Sequence, residues 1–118
     1  MVSESRQWTV GFYKDARGKS PAKEFVDGLP ARERAKVYNY LRLLREFGIN
    51  LRMPYAEPLS GHSPLWELRP GAIRLIYFAH TGRMFVILHA FRKKSRKIPS
   101  QEIVVAERRM FEFLEGRE

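Results

Sequence analysis

The segment LWELRPGAIRLIYFAHTGRMFVILHAFRKK, residues 65–94, decides the fold. It contains three apolar runs, Leu65–Arg69, Ile73–Ala79 and Met84–Arg92, separated by two short turns that each contain glycine. The runs are rich in β-branched and aromatic residues, which is typical of strands, and the short turns favour hairpins. The third run is almost continuously apolar, which indicates a central strand covered on both faces. The segment therefore predicts an antiparallel meander of three strands.

Helical patterns flank this meander on both sides. A first strand, Trp8–Tyr13, is followed by Ser20-Pro21, which can cap and begin a short helix to about Leu29. Apolar residues at three-and-four spacing predict a longer helix over Ala31–Phe47. Pro99-Ser100 begins a last helix of the same periodicity. The sequence thus predicts an α+β fold, with a small antiparallel sheet, two N-terminal helices and one C-terminal helix.

The composition limits the class of protein. A chain of 118 residues with 44% hydrophobic and 13% aromatic residues predicts a single domain over residues 1–118. Cysteine is absent, which excludes a disulfide scaffold, a thiol nucleophile and a cysteine zinc site. No histidine or carboxylate cluster has metal-ligand spacing, so no metal or cofactor is expected. No apolar stretch predicts a signal peptide or a membrane span, so we expect a cytoplasmic protein.

The positive charge is concentrated in one part of the chain. The formal net charge is +9, and residues 69–101 contain no Asp or Glu. This acid-free segment holds eight cations: Arg69, Arg74, Arg83, Arg92, Lys93, Lys94, Arg96 and Lys97. The rest of the chain has 14 basic and 13 acidic residues and is nearly neutral. Such a concentration favours a surface that binds a polyanion, although a solvated basic face without a ligand is the alternative.

Antiparallel pairing should gather several of these cations at one edge of the sheet. In a meander, the start of the middle strand lies beside the ends of both neighbours. Arg69, Arg74 and the run Arg92, Lys93 and Lys94 are expected to meet there. Arginine forks bind phosphate in a bidentate manner, and lysine supplies a compact charge.

Other residues near this edge are candidates of a different kind. Tyr77, Phe78 and Phe91 could stack on unpaired bases, although a core role is the favoured alternative for Phe78 and Phe91. His62, in the loop before the first strand of the meander, is the best placed of the three histidines for proton transfer. His89, within an apolar strand, is interpreted as a hydrogen-bonded core residue. Glu67, the one acid predicted beside the basic edge, is expected to pair with an arginine.

The ordered motifs of this region resemble the RelE/ParE toxin superfamily, in particular its HigB-like, phage-derived branch. The resemblance rests on the WELR strand Trp66–Arg69, the R-x-x-Y strand Arg74–Tyr77, and the basic run Phe91–Lys94 before Pro99 and a helix. The predicted N-terminal helices also match this superfamily, and the resemblance therefore covers about residues 8–114.

This resemblance implies a toxin of a type II toxin–antitoxin system. Such toxins are RNA-binding endoribonucleases that cut messenger RNA, typically on the ribosome, and thereby inhibit translation until an antitoxin masks the site. The implied partners are a helix-turn-helix antitoxin, mRNA and the ribosome, with no membrane. The cleavage is a transesterification that requires no metal.

The resemblance also suggests roles for individual residues. The arginine of the R-x-x-Y strand falls on Arg74, which would stabilise the phosphorane, and the basic strand exit falls on Arg92, Lys93 and Lys94. Lys93 or Lys94 would transfer a proton or neutralise charge. Substrate contacts are assigned to Arg69, Tyr77, Phe91, Arg92, Arg96 and His62. Some relatives place a catalytic tyrosine near the start of the last helix, but IPSQEIVV contains none, which leaves the general base open.

Three other functions are compatible with the same sequence. A ParE-like gyrase poison would share the fold without cutting RNA. A non-catalytic nucleic-acid-binding protein would use the same basic face and show a steep salt dependence. An inactive copy would retain only the binding of its antitoxin.

Overall fold

A computed structural model describes residues 8–81 and 83–116 and has one five-stranded sheet in the order β1-β5-β4-β3-β2. The elements are β1 (Thr9–Phe12), α1 (Pro21–Asp27), α2 (Ala31–Phe47), a 3-10 turn (Gly48–Asn50), β2 (Ala56–Pro58), β3 (Trp66–Leu68), β4 (Ile73–His80), β5 (Met84–Arg92) and α3 (Ser100–Glu115). The predicted α+β class, with two N-terminal helices and one C-terminal helix, is confirmed. Both hairpins of the predicted meander are present and antiparallel.

Two strand pairings lie outside the sequence prediction. β1 pairs with β5 in parallel, so the sheet is not wholly antiparallel. β2 lies within residues 50–64, where three prolines and a Ser-Gly pair predict a loop, and it pairs antiparallel with β3 over three residues. Only the first of these two pairings joins segments that are distant in the sequence. β1 is separated from β5 by most of the chain, and β2 is too short to show alternation.

The sheet has a helical layer on each face. On one face, which we call the hairpin face, α1 and α2 bury Val26, Val37, Leu41 and Leu44 against the sheet. On the opposite face, the C-terminal face, α3 buries Ile103, Ala106 and Met110. β5, which was predicted to be a central strand covered on both faces, buries residues 85–88, 90 and 91, and β4 buries residues 73–78. Successive strand residues point to opposite faces, so alternation decides which side chains meet each helix.

α2 is amphipathic, with its apolar stripe on the sheet and cations such as Arg32, Lys36 and Arg45 exposed on its outer side.

Each helix within residues 8–81 and 83–116 is either too short or too polar to cross a membrane.

Gly48 ends α2 at a position where a side chain has no room. The sequence predicts a left-handed C-cap there, and φ is indeed 58°, although ψ of −133° lies outside the left-handed helical region. An ideal Cβ at Gly48 would lie 2.1 Å from Nε1 of Trp8. The Trp8 ring stacks on Phe85 with centroids 4.5 Å apart. Glycine is therefore required both by the backbone angle and by the close approach of Trp8.

Replacement of Gly48 by Ala should destabilise the protein by about 1–3 kcal/mol, because the methyl group displaces Trp8 from Phe85. Urea unfolding should show a lower midpoint at an unchanged slope. Gly18→Ala is the matched control, because Gly18 has a φ of 84° but no atom within 4 Å of an ideal Cβ. Equal midpoints for the two variants would contradict the contribution of the Trp8 contact.

Candidate functional site

An open groove lies on the C-terminal face, where α3 leaves the ends of β2, β3 and β4 uncovered. One wall is formed by residues 57–60 together with His62, Glu67, Arg69 and Arg74, and the other by Lys93, residues 95–100 and Ile103. Among these described residues, the cations are Arg69, Arg74, Lys93, Arg96 and Lys97, and the acids are Glu57 and Glu67. We call this surface the groove.

Strand register brings the cations together. Leu68 pairs with Leu75, so that Arg69 and Arg74 flank the turn between β3 and β4. At the other side of β4, the backbone N–H of Lys93 donates to the carbonyl of Ala72 at 2.8 Å. Arg69, Arg74 and Lys93 consequently line the same groove, at the sheet edge where the sequence predicted them to meet.

Arg74 is buried and firmly held. Its Nη1 donates to the carbonyl oxygens of Gly71 at 2.6 Å and Ile73 at 2.9 Å. Its Nε lies 3.6 Å from Oε1 of Glu67. Burial lowers the pKa of the Arg74 guanidinium, and the neighbouring charge of Arg69 lowers it further. These contacts place a desolvated cation in a fixed orientation at the groove wall.

Two carboxylates share Arg69. Its Nη1 donates to Oε2 of Glu67 at 2.6 Å and to Oε2 of Glu57 at 2.9 Å. Burial raises the pKa of Glu67, the adjacent Glu57 raises it further, and Arg69 and Arg74 oppose both effects. The expectation that Glu67 pairs with an arginine agrees with this geometry.

Glu57 is a groove residue that the sequence analysis missed. It lies on β2, directly opposite Glu67 in the pairing of β2 with β3. Its side chain is 39% exposed, compared with 6% for Glu67, so Glu57 is the accessible carboxylate of the pair. The strand that positions it has three residues. No local pattern in the sequence could reveal that strand.

Other predicted residues also reach the groove. Arg96 lines it from the exposed loop that leaves β5. His62 lines it from the loop before β3, and its Nδ1 lies 3.4 Å from Oε2 of Glu107 on α3. Its side chain is 40% exposed and therefore accessible to a bound molecule.

Four predicted residues lie elsewhere, and their roles are revised. Tyr77 is buried on the hairpin face beside Trp66 and Phe85, so its ring is not available to a base. Phe91 is buried in the core under α3. Arg92 makes a bidentate ion pair with Glu33 of α2, with both distances 2.7 Å. Lys94 is exposed but is not part of the groove lining.

His89 connects β5 to the start of α3. Its ring stacks on Phe91, and its Nε2 lies 2.5 Å from Oε1 of Glu102. Nη1 of Arg109 lies 3.3 Å from the ring Nδ1 and donates to the carbonyl of Leu88 at 2.9 Å. This network matches a neutral ring that donates from Nε2 and accepts at Nδ1. It agrees with the interpretation of His89 as a hydrogen-bonded core residue, and it holds the first turn of α3, which borders the groove.

The groove combines groups that suit phosphate chemistry. Fixed guanidinium groups can neutralise a phosphate and the additional charge that develops on it during reaction. An accessible carboxylate or imidazole can accept a proton. Within residues 8–81 and 83–116, no group of three or more His, Asp or Glu side chains is arranged to hold a metal ion.

The sequence family that matches the chain is described as phage-derived protein Gp49-like, and the match covers residues 24–111. Among curated proteins, no sequence is significantly similar to the chain.

Solved structures of RelE proteins share the fold. The Mycobacterium tuberculosis toxin–antitoxin complex RelBE2 contains a chain with 22% identity and a TM-score of 0.56, over 74% of this chain and 99% of that one. The archaeal RelE–RelB complex from Pyrococcus horikoshii gives 18% identity and a TM-score of 0.60, over 76% and 99% of the two chains. An arginine-to-alanine double mutant of Escherichia coli RelE in the free state has 18% identity and a TM-score of 0.60, over 88% of this chain and 98% of that one. At these identities the likeness establishes the fold alone.

His89 should make stability depend on pH in the acid range. Burial lowers the pKa of His89 below its ordinary value of 6.5, and the hydrogen bond and charge of Glu102 only partly oppose this effect. The unfolded chain therefore binds more protons at this residue than the folded protein, so that stability should fall as pH is lowered through 6.5. Thermal midpoints measured between about pH 5 and pH 8 should show this slope.

The variant His89→Gln is the control for this measurement, because glutamine does not titrate. Its midpoints should vary less with pH over the same range. Identical slopes for the two proteins would show that His89 does not contribute.

Proposed function

Since the chain belongs to the Gp49-like family of phage-derived proteins, we propose that it is the toxin of a type II toxin–antitoxin pair and a metal-independent endoribonuclease that cuts messenger RNA and inhibits translation. The observation that supports this proposal best is the groove, where Arg69, Arg74 and Lys93 lie beside an accessible carboxylate. We treat residues 1–118 as one toxin domain, because the described elements pack on a single sheet.

The proposed reaction is a transesterification of the RNA backbone. A base removes the proton of a ribose 2′-OH, and the 2′-oxygen forms a bond to the adjacent phosphorus. The bond from phosphorus to the 5′-oxygen breaks, and an acid gives that oxygen a proton. The products are a 2′,3′-cyclic phosphate and a 5′-hydroxyl group.

The groove offers a residue for each step. Arg74 stabilises the charge of the phosphorane, because its backbone contacts keep the guanidinium fixed throughout the reaction. Lys93 gives a proton to the 5′-oxygen or neutralises its charge, and Arg69 orients the phosphate. Glu57 is the favoured base because it is the exposed carboxylate, and His62 is the alternative. Lys94 and Arg92 lie outside this set.

An antitoxin is the proposed protein partner. The RelE proteins of M. tuberculosis and P. horikoshii were solved in toxin–antitoxin and RelE–RelB complexes. By analogy, a helix-turn-helix antitoxin would bind this chain and mask its activity. Its substrate, mRNA, and the ribosome that would present it are cytoplasmic, so we place the protein in the cytoplasm.

Arg74→Ala should remove toxicity. Inducible expression of the wild type should arrest growth and generate new RNA 5′ ends within translated messages, and co-expression of the neighbouring antitoxin gene should prevent both. Loss of one fixed charge donor typically lowers the rate about a hundred- to thousandfold, so Arg74→Ala should show few new ends. Arg45→Ala, an exposed arginine on α2 outside the groove, is the matched control and should remain toxic.

The outcomes also separate the rival functions. Intact RNA together with DNA breaks would indicate a gyrase poison. RNA that is bound by the purified protein but never cut, alone or with ribosomes, would indicate a non-catalytic binding protein. Undiminished cleavage by Arg74→Ala would exclude Arg74 from the site.

Arg96 and Arg92 should differ in their contribution to RNA binding. Arg96→Ala should weaken binding of a non-cleavable RNA and lower the slope of log affinity against log salt by about 1, as expected for one lost phosphate contact. Arg92→Ala should leave the slope nearly unchanged, because Glu33 already occupies the guanidinium. Fluorescence anisotropy over a salt series measures both slopes. If both variants lowered the slope equally, RNA would have to displace Glu33 from Arg92 and contact Arg92 directly.

A further inference from the structure

The carboxylate of Glu67 is unfavourably placed for the stability of the fold. It is buried, and it lies directly opposite another carboxylate, Glu57, in the pairing of β2 with β3. Burial of a charge and direct opposition of like charges are both unfavourable. Arg69 offsets part of this, because its Nη1 donates to both carboxylates.

A second observation shows that Glu67 is not fully satisfied. Its Oε1 and the Nε of Arg74 are both buried without a hydrogen-bond partner among the described residues, and they lie 3.6 Å apart. Two opposite charges face each other at that distance although a hydrogen bond would require a closer approach. Oε2 of the same carboxylate contacts Arg69 at 2.6 Å. One buried carboxylate therefore stands between two guanidinium groups.

The two guanidinium groups repel each other. Burial lowers the pKa of Arg74 most, the charge of Arg69 lowers it further, and the charges of Glu67 and Glu57 oppose both effects. Without Glu67, Arg69 would keep only its ion pair with the more exposed Glu57, and repulsion would move it away from Arg74. Because Arg74 is tied to backbone carbonyls, Arg69 is the one of the two that would move.

We propose that Glu67 is a positioning residue of the groove, whose buried carboxylate holds Arg69 beside Arg74 so that one phosphate contacts both. This inference rests on the proposed function, and it adds a residue that does not itself contact the substrate. Arg69 is the more accessible of the two arginines, with 25% of its side chain exposed compared with 7% for Arg74 and 6% for Glu67.

This role has an unusual consequence for binding and rate. Loss of a negative charge from a cationic groove strengthens its attraction for RNA. Loss of arginine alignment weakens the stabilisation of the transition state more than the binding of the substrate, because the phosphate gains its additional charge only during the reaction. Glu67→Gln should therefore bind RNA as tightly as the wild type or more tightly, and should cleave it about ten- to a hundredfold more slowly. A purely structural role would instead weaken binding and cleavage together.

The test compares the full-length wild type, Glu67→Gln, Glu67→Asp and Glu46→Gln. Glu46 is exposed on α2 outside the groove, so Glu46→Gln is the matched charge control and should behave as the wild type. Single-turnover cleavage of an RNA, with ribosomes if required, gives the rate. Anisotropy with its non-cleavable 2′-deoxy analogue gives the affinity. Glu67→Asp keeps the charge and should recover part of the rate that Glu67→Gln loses.

Two results would overturn the proposal. One is wild-type cleavage by Glu67→Gln, and the other is a loss of affinity in proportion to the loss of rate. If Glu67→Gln gives no cooperative thermal transition, Glu67→Asp is judged by the same pair of measurements, with a lower rate at undiminished affinity expected.

Failure of the proposed function would be recognised separately. A wild type that cuts no RNA would refute the nuclease proposal. Whether Glu67 positions Arg69 would then be decided from the Nε–H signal of Arg69 in ¹⁵N NMR. That signal should report an ordered side chain in the wild type and a mobile one in Glu67→Gln, with or without the 2′-deoxy analogue. The same order in both proteins would refute positioning.

Discussion

The antiparallel pairing of β4 with both β3 and β5 is the constraint on which the groove depends. β4 is buried on both faces, so its register cannot slip by one residue without turning apolar side chains towards the wrong layer. That register places the end of β3, the start of β4 and the exit of β5 at one edge. The contact from the Lys93 N–H to the Ala72 carbonyl continues the ladder beyond the last paired residues. The hydrophobic core thereby fixes the backbone positions from which the cations extend.

Alternation along the strands then divides the charges between the two faces. Arg74 faces α3, whereas Arg92, adjacent in sequence to the cross-strand partner of Arg74, faces α2 and binds Glu33. Tyr77 lies an odd number of residues from Arg74 and accordingly packs on the hairpin face. Phe91 shares the face of Arg74 but is covered by the His89 ring and by α3. Whether a strand residue reaches the groove thus depends more on which face of the sheet it points to than on its distance from Arg74 in the sequence.

Local patterns were sufficient to predict most of the fold and only part of the site. Residues 65–94 carry their strands and turns in their own periodicity, and Arg69, Arg74 and Lys93 could be placed from that alone. The parallel pairing of β1 depends on a contact between distant segments, and the short strand β2 has too few residues to leave a periodic trace. Glu57 was missed for this reason. Arg92 and Tyr77 lie outside the groove for a different reason, because alternation along β5 and β4 points both side chains to the hairpin face. The core position of Phe91 depends on how α3 packs, which the sequence does not encode locally.

The mixed charge of the groove favours catalysis over simple binding. The acid-free segment suggests a uniformly basic surface, but Glu57 and Glu67 enter the groove from the strands that precede that segment. A surface that only holds RNA gains nothing from a buried carboxylate, since that charge opposes phosphate and its burial is unfavourable. A catalytic surface gains in two ways. An exposed carboxylate can take a proton, and a buried one can hold cations in the arrangement that a pentavalent phosphorus requires. In the proposed reaction, the pairing of like charges across β2 and β3 would supply both groups.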